Sequence, residues 1–349
     1  MSMTRRNRAF CIALNLGIAL LLEGAWVPAV DAESTPADVA GYPGGPSAAP
    51  GVSQPGDLRG LTQLASAAGS SRSSRPRPRR RRRPAPLRLP AVTEYGIPRL
   101  HVKAAYVVDA NNRVLFEKNP ERILPIASLT KLVTTMVFLQ TVPDWDRVIE
   151  IVPDDVRHSS RTRIRSREEI TVRDLFHAAL MSSDNAATKA LVRTCGVPME
   201  EFVRRMNLLV DSLGVPETHF VEPTGLSEQN VSTAQGMARI LRAATESDVV
   251  SAITQKTEYS FTSNRRIHHL VNTNRLLRSQ WTITGGKTGF IHEAGYCLVT
   301  NVKGPTGIDV TAVVLGAPSN ALRFAEARRI LDWTFRFGLG LPQTTPAGD

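Results

Sequence analysis

The chain has 349 residues, 42% hydrophobic and 21% charged, ordinary values for one or two globular domains. Its net charge of +11 is concentrated at one end: residues 1–99 carry 14 Arg, no Lys and 6 acidic residues, while residues 100–349 carry 29 basic and 26 acidic ones. The sequence pI near 10.1 therefore belongs to the N-terminal third, which excludes reading the remainder as a broadly basic surface.

Residues 1–32 read as an export signal. Arg5, Arg6 and Arg8 supply a positive start, Phe10 to Leu22 an apolar run, and Val30, Asp31 and Ala32 a small-residue cleavage site. The run falls short of the ~20 residues that span a bilayer, and Glu23 ends it, so cleavage is favoured over retention as an anchor. The Arg5-Arg6 pair leaves a twin-arginine route open. No other apolar stretch is long enough to span a membrane. The protein is thus expected in the periplasm or cell-wall space, soluble after signal cleavage.

Residues 33–98 are rich in Pro, Gly, Ala and Ser and carry an arginine run from Arg75 to Arg83. They read as a disordered linker with too little apolar surface to offset its chain entropy. The run suits a self-repelling spacer and a tether to an anionic envelope polymer equally well. Nucleic acid would match the charge, but an export signal argues against meeting it.

A folded domain is expected over residues 99–341, with a short tail at 342–349. His101 to Asp109 and Val114 to Glu117 form a hairpin around Asn111-Asn112. Helical spacing marks Ser128 to Gln140, Thr171 to Met181, Asn185 to Arg193, Pro198 to Leu213 and Thr233 to Ala244, with Gly214 as a C-terminal stop. Trp281 to Phe290, Tyr296 to Val302 and Val310 to Leu315 read as strands, and Ala321 to Phe335 as a closing helix. Terminal runs of strand around a helical middle imply an α+β fold with an antiparallel sheet and a helical subdomain.

Three short motifs carry the chemistry. Ser128-Leu-Thr-Lys131 opens a helix, Ser183-Asp-Asn185 lies between two helices, and Lys287-Thr-Gly289 lies on a strand. Each alone is weak, but two of the chain's seven lysines occupy them and each pattern occurs once. Together they form the set shared by β-lactamases and penicillin-binding proteins. A serine hydroxyl needs a base to become a nucleophile, and Lys131, three residues on, shares a helix face with Ser128. Burial and a second ammonium at Lys287 would favour the neutral amine at Lys131. A helix start at Ser128 aims backbone N–H groups at developing negative charge. Lys287 and Thr288 suit a peptide carboxylate, Gly289 lets a substrate backbone lie close, and Ser183 and Asn185 relay a proton and hold the scissile amide. Acyl transfer is the reaction class, with no metal or cofactor.

The segment from Leu100 to Leu341 resembles the low-molecular-mass penicillin-binding proteins of the D-alanyl-D-alanine carboxypeptidase/endopeptidase family, closest to its small endopeptidase members. The likeness rests on the three motifs and on Phe220 to Ser227, Asn230 to Ala234, Asn272 to Asn274, and Ala294 to Val299. It implies the penicillin-binding/β-lactamase-like transpeptidase fold, with Ser128 as acylated nucleophile, Lys131 as base, and Ser183 and Asn185 as helpers. Lys287 and Thr288 would bind substrate, with the N–H groups of Ser128 and Phe290 as oxyanion hole. Peptidoglycan stem peptides are the implied substrate, cut at a terminus or in a cross-link, and β-lactams the implied inhibitors. Ile291 replaces the Thr usual after the aromatic of the third motif, which removes one hydroxyl from the substrate edge. A β-lactamase is the runner-up enzyme, and a silent wall-binding protein the alternative from another class.

Other residues read more plainly. Glu222, 39 residues after Ser183, is taken as part of a turn, and Glu168-Glu169 as an acidic helix entry. His268 and His269 face opposite ways on an extended segment and offer no metal set. His292-Glu293 reads equally as cleft lining and as solvated turn. Cys195 and Cys297 read as free thiols rather than a bridge.

Overall fold

The computed structural model describes residues 96, 98–160, 162–304 and 307–339. The expected export signal, almost all of the expected linker with Arg75 to Arg83, and the expected tail lie outside these residues. Strands β1 (Ala104–Asp109) and β2 (Val114–Lys118) form the expected hairpin, turning at Asn112 with φ 64°. β3 (Leu124–Pro125) leads into a 3₁₀ turn, Ala127–Thr130, and helix α1 (Lys131–Leu139). Then come β4 (Val148–Glu150), α2 (Pro153–Val156), β5 (Glu169–Thr171) and α3 (Val172–His177), which runs into a π-helical turn at Ala178–Ser182. Helices α4 (Asn185–Thr194) and α5 (Met199–Ser212) follow, and Gly214, at φ 70°, stops α5 as expected.

After β6 (Val231–Ser232) come α6 (Ala234–Thr245) and α7 (Asp248–Thr254). A hairpin of β7 (Glu258–Thr262) and β8 (Ile267–Val271) precedes β9 (Thr282–Ile291), β10 (Gly295–Lys303) and β11 (Asp309–Ala317). Helix α8 (Asn320–Trp333) follows and ends in a π turn. The main sheet is antiparallel throughout, in the order β2-β1-β11-β10-β9.

Both faces of this sheet are buried, which explains the nearly unbroken apolar strands. Along β1, Ala104, Tyr106 and Val108 enter one core with the α1–α7 helices, while Ala105 and Val107 enter the other, under α8. The period of two sends alternate side chains to opposite faces, and α8 answers with Phe324, Ala327, Ile330 and Leu331. Because β9 is an edge strand, its Lys-Thr-Gly segment pairs with β10 along one edge and leaves the other to the helical side. Among the described residues, no helix is long and apolar enough to cross a membrane.

Candidate active site

Ser128 sits on the 3₁₀ turn before α1 rather than inside the helix. The turn is forced by close backbone packing. Ala127 has φ 50°, and Thr130 Oγ1 donates to its carbonyl at 2.8 Å. Two glycines press on it from outside. A Cβ on Gly225 would lie 2.1 Å from Ala127 O, and one on Gly289 would lie 2.7 Å from Ile126 O and 3.1 Å from Ser128 N. Gly289 was expected to admit a substrate backbone; in addition, its Cβ direction faces the Ile126–Ser128 turn.

Lys131 opens α1 and is fully buried. Its Nζ lies 3.2 Å from Ser128 Oγ and 2.6 Å from Asn185 Oδ1, and it also bonds the Thr224 carbonyl. Asn185 Oδ1 and Thr224 O can only accept. A neutral amine gives its two hydrogens to them and turns its lone pair to the Ser128 hydroxyl. Burial brings the Lys131 pKa down from 10.5 to about 8, against the opposing pull of Glu222 and Asp184. The expected push from Lys287 falls the other way. Burial, then Lys131 and Arg323, hold Lys287 well below its ordinary value, and Lys131 owes its own depression to desolvation.

The second motif is aimed by an irregular backbone. The predicted helix from Thr171 to Met181 changes to π geometry at Ala178, a distortion often found where function needs it. It ends at Ser183, in the left-handed region at φ 62°, ψ 34°. That geometry turns Ser183 Oγ to Lys287 Nζ at 2.8 Å. Asp184 caps α4 through Ala187 N and is braced by Thr162 Oγ1 at 2.8 Å and Arg163 N at 3.0 Å. Asn185 is fixed from its other end, donating to Ser159 O at 3.0 Å.

On β9, Thr288 Oγ1 donates to Thr273 Oγ1 at 2.7 Å, tying the third motif to the Asn272–Asn274 segment. Phe290 is partly exposed and stacked on Tyr296 at 4.1 Å. Arg323, from α8, donates to the carbonyls of Gly289 and Cys297, both at 3.0 Å. Ser128, Ser183, Asn185, Thr288, Phe290 and Arg323 line one cleft of about 600 Å³. All eight residues expected at the site therefore meet at or just beneath one cleft. Ile291 and His292 also line it, His292 while exposed.

Sequence reasoning missed three supports. Arg323 is an unremarkable arginine in a helical pattern, and only the packing of α8 against β9 and β10 exposes its role. Glu222, read as a turn residue, gathers the loop that contacts Lys131. Its Oε1 accepts from the N–H groups of Gly225, Leu226 and Ser227, and its Oε2 from that of Thr224. Glu168 does not open a helix. It is buried, bonding His268 Nε2 at 2.5 Å and Arg266 Nη2 at 2.8 Å. Burial pushes its carboxyl up, but His268, Ser263 and Arg266 hold it below the usual range. His268 is buried and His269 exposed, opposite as expected. Cys195 and Cys297 are free thiols, both pushed up to about 11 by burial.

A serine and a buried lysine at a helix head, facing Lys-Thr-Gly on an edge strand, belong to the penicillin-binding class of serine peptidases. The chain shares its fold with penicillin-binding protein D2 of Listeria monocytogenes in its cefotaxime-bound form, at 30% identity and a TM-score of 0.59. The match covers 68% of this chain and 98% of that one. It is 36% identical to a D-alanyl-D-alanine endopeptidase of Pseudomonas aeruginosa, over 66% of this chain and 76% of the relative. A D-alanyl-D-alanine endopeptidase of Escherichia coli is 34% identical, over 70% of this chain and 80% of the relative. The family model for D-alanyl-D-alanine carboxypeptidase matches residues 91–319. The chain belongs to this D-alanyl-D-alanine carboxypeptidase family of serine hydrolases.

Proposed function

We propose that the protein hydrolyses D-alanyl-D-alanine peptide bonds of peptidoglycan stem peptides through an ester on Ser128. The carrying observation is the partner set of Lys131: two obligate acceptors and the Ser128 hydroxyl at 3.2 Å. Lys131 takes the hydroxyl proton as the oxygen attacks the D-alanine carbonyl, and the N–H groups of Ser128 and Phe290 receive the developing oxyanion. The proton taken by Lys131 passes to the leaving amine by way of Ser183, which is reprotonated as it donates. Water, deprotonated by Lys131 in turn, then cleaves the ester and returns the hydrogen to Ser128, while Asn185 orients Lys131 and the substrate amide. Lys287 and Thr288 hold the carboxylate beyond the scissile bond, with Gly289 keeping strand and nucleophile in close register. The two relatives named above are endopeptidases, which favours cutting in cross-links.

The β-lactamase alternative needs a carboxylate free to activate a deacylating water. Glu222 stands near the required sequence position, but its two oxygens already accept from four backbone N–H groups. A long-lived penicilloyl ester is therefore expected. A fluorescent penicillin should leave a lasting band on the parent and none on Ser128→Ala. Rapid drug turnover without a band would move the reading to β-lactamase, and neither would favour a silent wall-binding protein.

The same reading includes export. Residues 1–32 act as a cleaved signal, residues 33–98 as a basic linker to the peptidase domain at 99–341, and residues 342–349 as a tail. The Arg75 to Arg83 run contacts an anionic envelope polymer. The folded part adds exposed guanidiniums at Arg163, Arg165, Arg167 and Arg265, beside a Glu168 already occupied by Arg266 and His268. Replacing the linker arginines by Gln should weaken pelleting with isolated cell walls at low salt; unchanged pelleting would remove the tether.

A further inference from the structure

Glu222 lies outside the three motifs, yet more bonds converge on it than on any of their members. Besides four consecutive N–H groups, from Thr224 to Ser227, it accepts Thr224 Oγ1 at 2.5 Å and Asn230 Nδ2 at 2.9 Å. Every one of these partners is donating, so the position calls for a group that only accepts. An ionised carboxylate offers about four lone-pair sites and no hydrogen.

The gathered loop touches both halves of the nucleophilic pair. Thr224 O receives Lys131 Nζ. Gly225 Cα bears on the Ala127–Ser128 peptide so closely that a Cβ would come within 2.7 Å of Ser128 N. Pro223 O anchors the same loop to α1 through Thr134 Oγ1 at 2.6 Å. Asn230 joins the carboxylate to the nucleophile turn, reaching Thr130 Oγ1 at 3.2 Å while its own carbonyl accepts Ile126 N at 3.0 Å.

We propose that Glu222 is a positioning residue for acylation: its carboxylate fixes loop 222–227 so that the Thr224 carbonyl orients the Lys131 amine and the Gly225 backbone seats the Ser128 amide. The inference rests on the serine-peptidase reading. It assigns work to the Phe220–Ser227 and Asn230–Ala234 segments, neither of which supplies a reacting group. The carboxylate also opposes the desolvation that lowers the Lys131 amine. The loop thus tunes the base electrically as well as holding it.

The two contributions separate by substitution. Glu222→Gln keeps length but removes the charge, and it places an NH₂ against backbone donors at one of the two oxygens. Glu222→Asp keeps the charge but, one methylene shorter, cannot reach all four N–H groups. The experiment is the pH dependence of Ser128 acylation by a fluorescent penicillin, on the full chain, with melting curves to verify folding. Glu222→Gln should acylate roughly 10- to 100-fold more slowly, with its base-limb midpoint displaced to lower pH. Glu222→Asp should slow acylation while leaving the midpoint in place. Should Glu222→Gln fail to fold, Glu222→Asp decides by rate alone. Parental rate and midpoint in a folded variant would overturn the assignment of Glu222 while leaving the peptidase reading intact. Absence of acylation in the parent would overturn both.

Discussion

Lys131→Arg isolates the part of catalysis that burial supplies. A lysine at its ordinary 10.5 is neutral in only roughly 0.03% of molecules at pH 7, whereas one at about 8 is neutral in roughly 10%, so the folded environment enriches the base about 300-fold. Because desolvation lowers the value, the neutral form grows as pH rises through 8. The acylation rate should therefore climb between pH 6.5 and 9 and flatten above. Arginine is not deprotonated in proteins and reaches the same acceptors, so Lys131→Arg should lose the limb and about 10²- to 10⁴-fold in rate. Stopped-flow acylation with a chromogenic β-lactam across that range reads both. A parental profile flat from pH 6.5 to 9, or an Arg variant that still shows the limb, would refute Lys131 as the base.

Further predictions concern packing and the buried charge cluster. Gly289→Ala places its Cβ 2.7 Å from Ile126 O, so it should cost about 1–3 kcal/mol by overpacking and depress acylation more than stability; differential scanning calorimetry beside acylation assays checks the split. Gly225→Ala should be worse, since it adds a left-handed φ of 82° to a 2.1 Å clash. Glu168→Gln should destabilise by about 3–5 kcal/mol, because it leaves the Arg266 and His268 partners without their buried counter-charge, as urea midpoints would reveal. With the Glu168 carboxyl held low, its stabilisation is full above about pH 4.5 and is lost as pH falls through the lower folded value. Acid unfolding of Glu168→Gln should accordingly be the less steep.

The fold and the proposed reacting groups were legible because each rests on a local pattern. Short apolar runs bounded by turn residues gave β1, β10 and β11, and the chemistry proposed for Ser128, Lys131, Ser183, Asn185 and Lys287 is intrinsic to those residue types at those spacings. What failed to show depends on contacts between distant segments. The π turn before Ser183 carries the same apolar periodicity as a straight helix, so the sequence reads as one helix through Met181. The β7–β8 hairpin is short and half exposed, and only the histidines hinted at its extended backbone. Glu168 looks like any surface acid until Arg266 and His268, about a hundred residues away, close over it. Nothing local at Gly289 says that Ile126 packs behind it.

Among the described residues, no carboxylate is bonded to either of the site's two buried lysines, an arrangement that leaves room for substrate to complete one charge. Lys287 is held well below its ordinary value by burial, Lys131 and Arg323. A carboxylate docked beside Lys287 and Thr288 reverses that balance, since an opposite charge favours the ammonium. Ligand binding should then draw protons into the site, up to one per molecule, at a pH where Lys287 begins neutral. Calorimetry of Ser128→Ala with a D-alanyl-D-alanine peptide, in buffers of differing ionisation enthalpy across a series of pH values, measures this uptake directly. Binding heats that depend on buffer in the sense of proton uptake, and lose that dependence in Lys287→Gln, would establish Lys287 as the group that charges. Heats independent of buffer would mean that Lys287 is already charged before substrate arrives, and that the two lysines divide their roles by position alone.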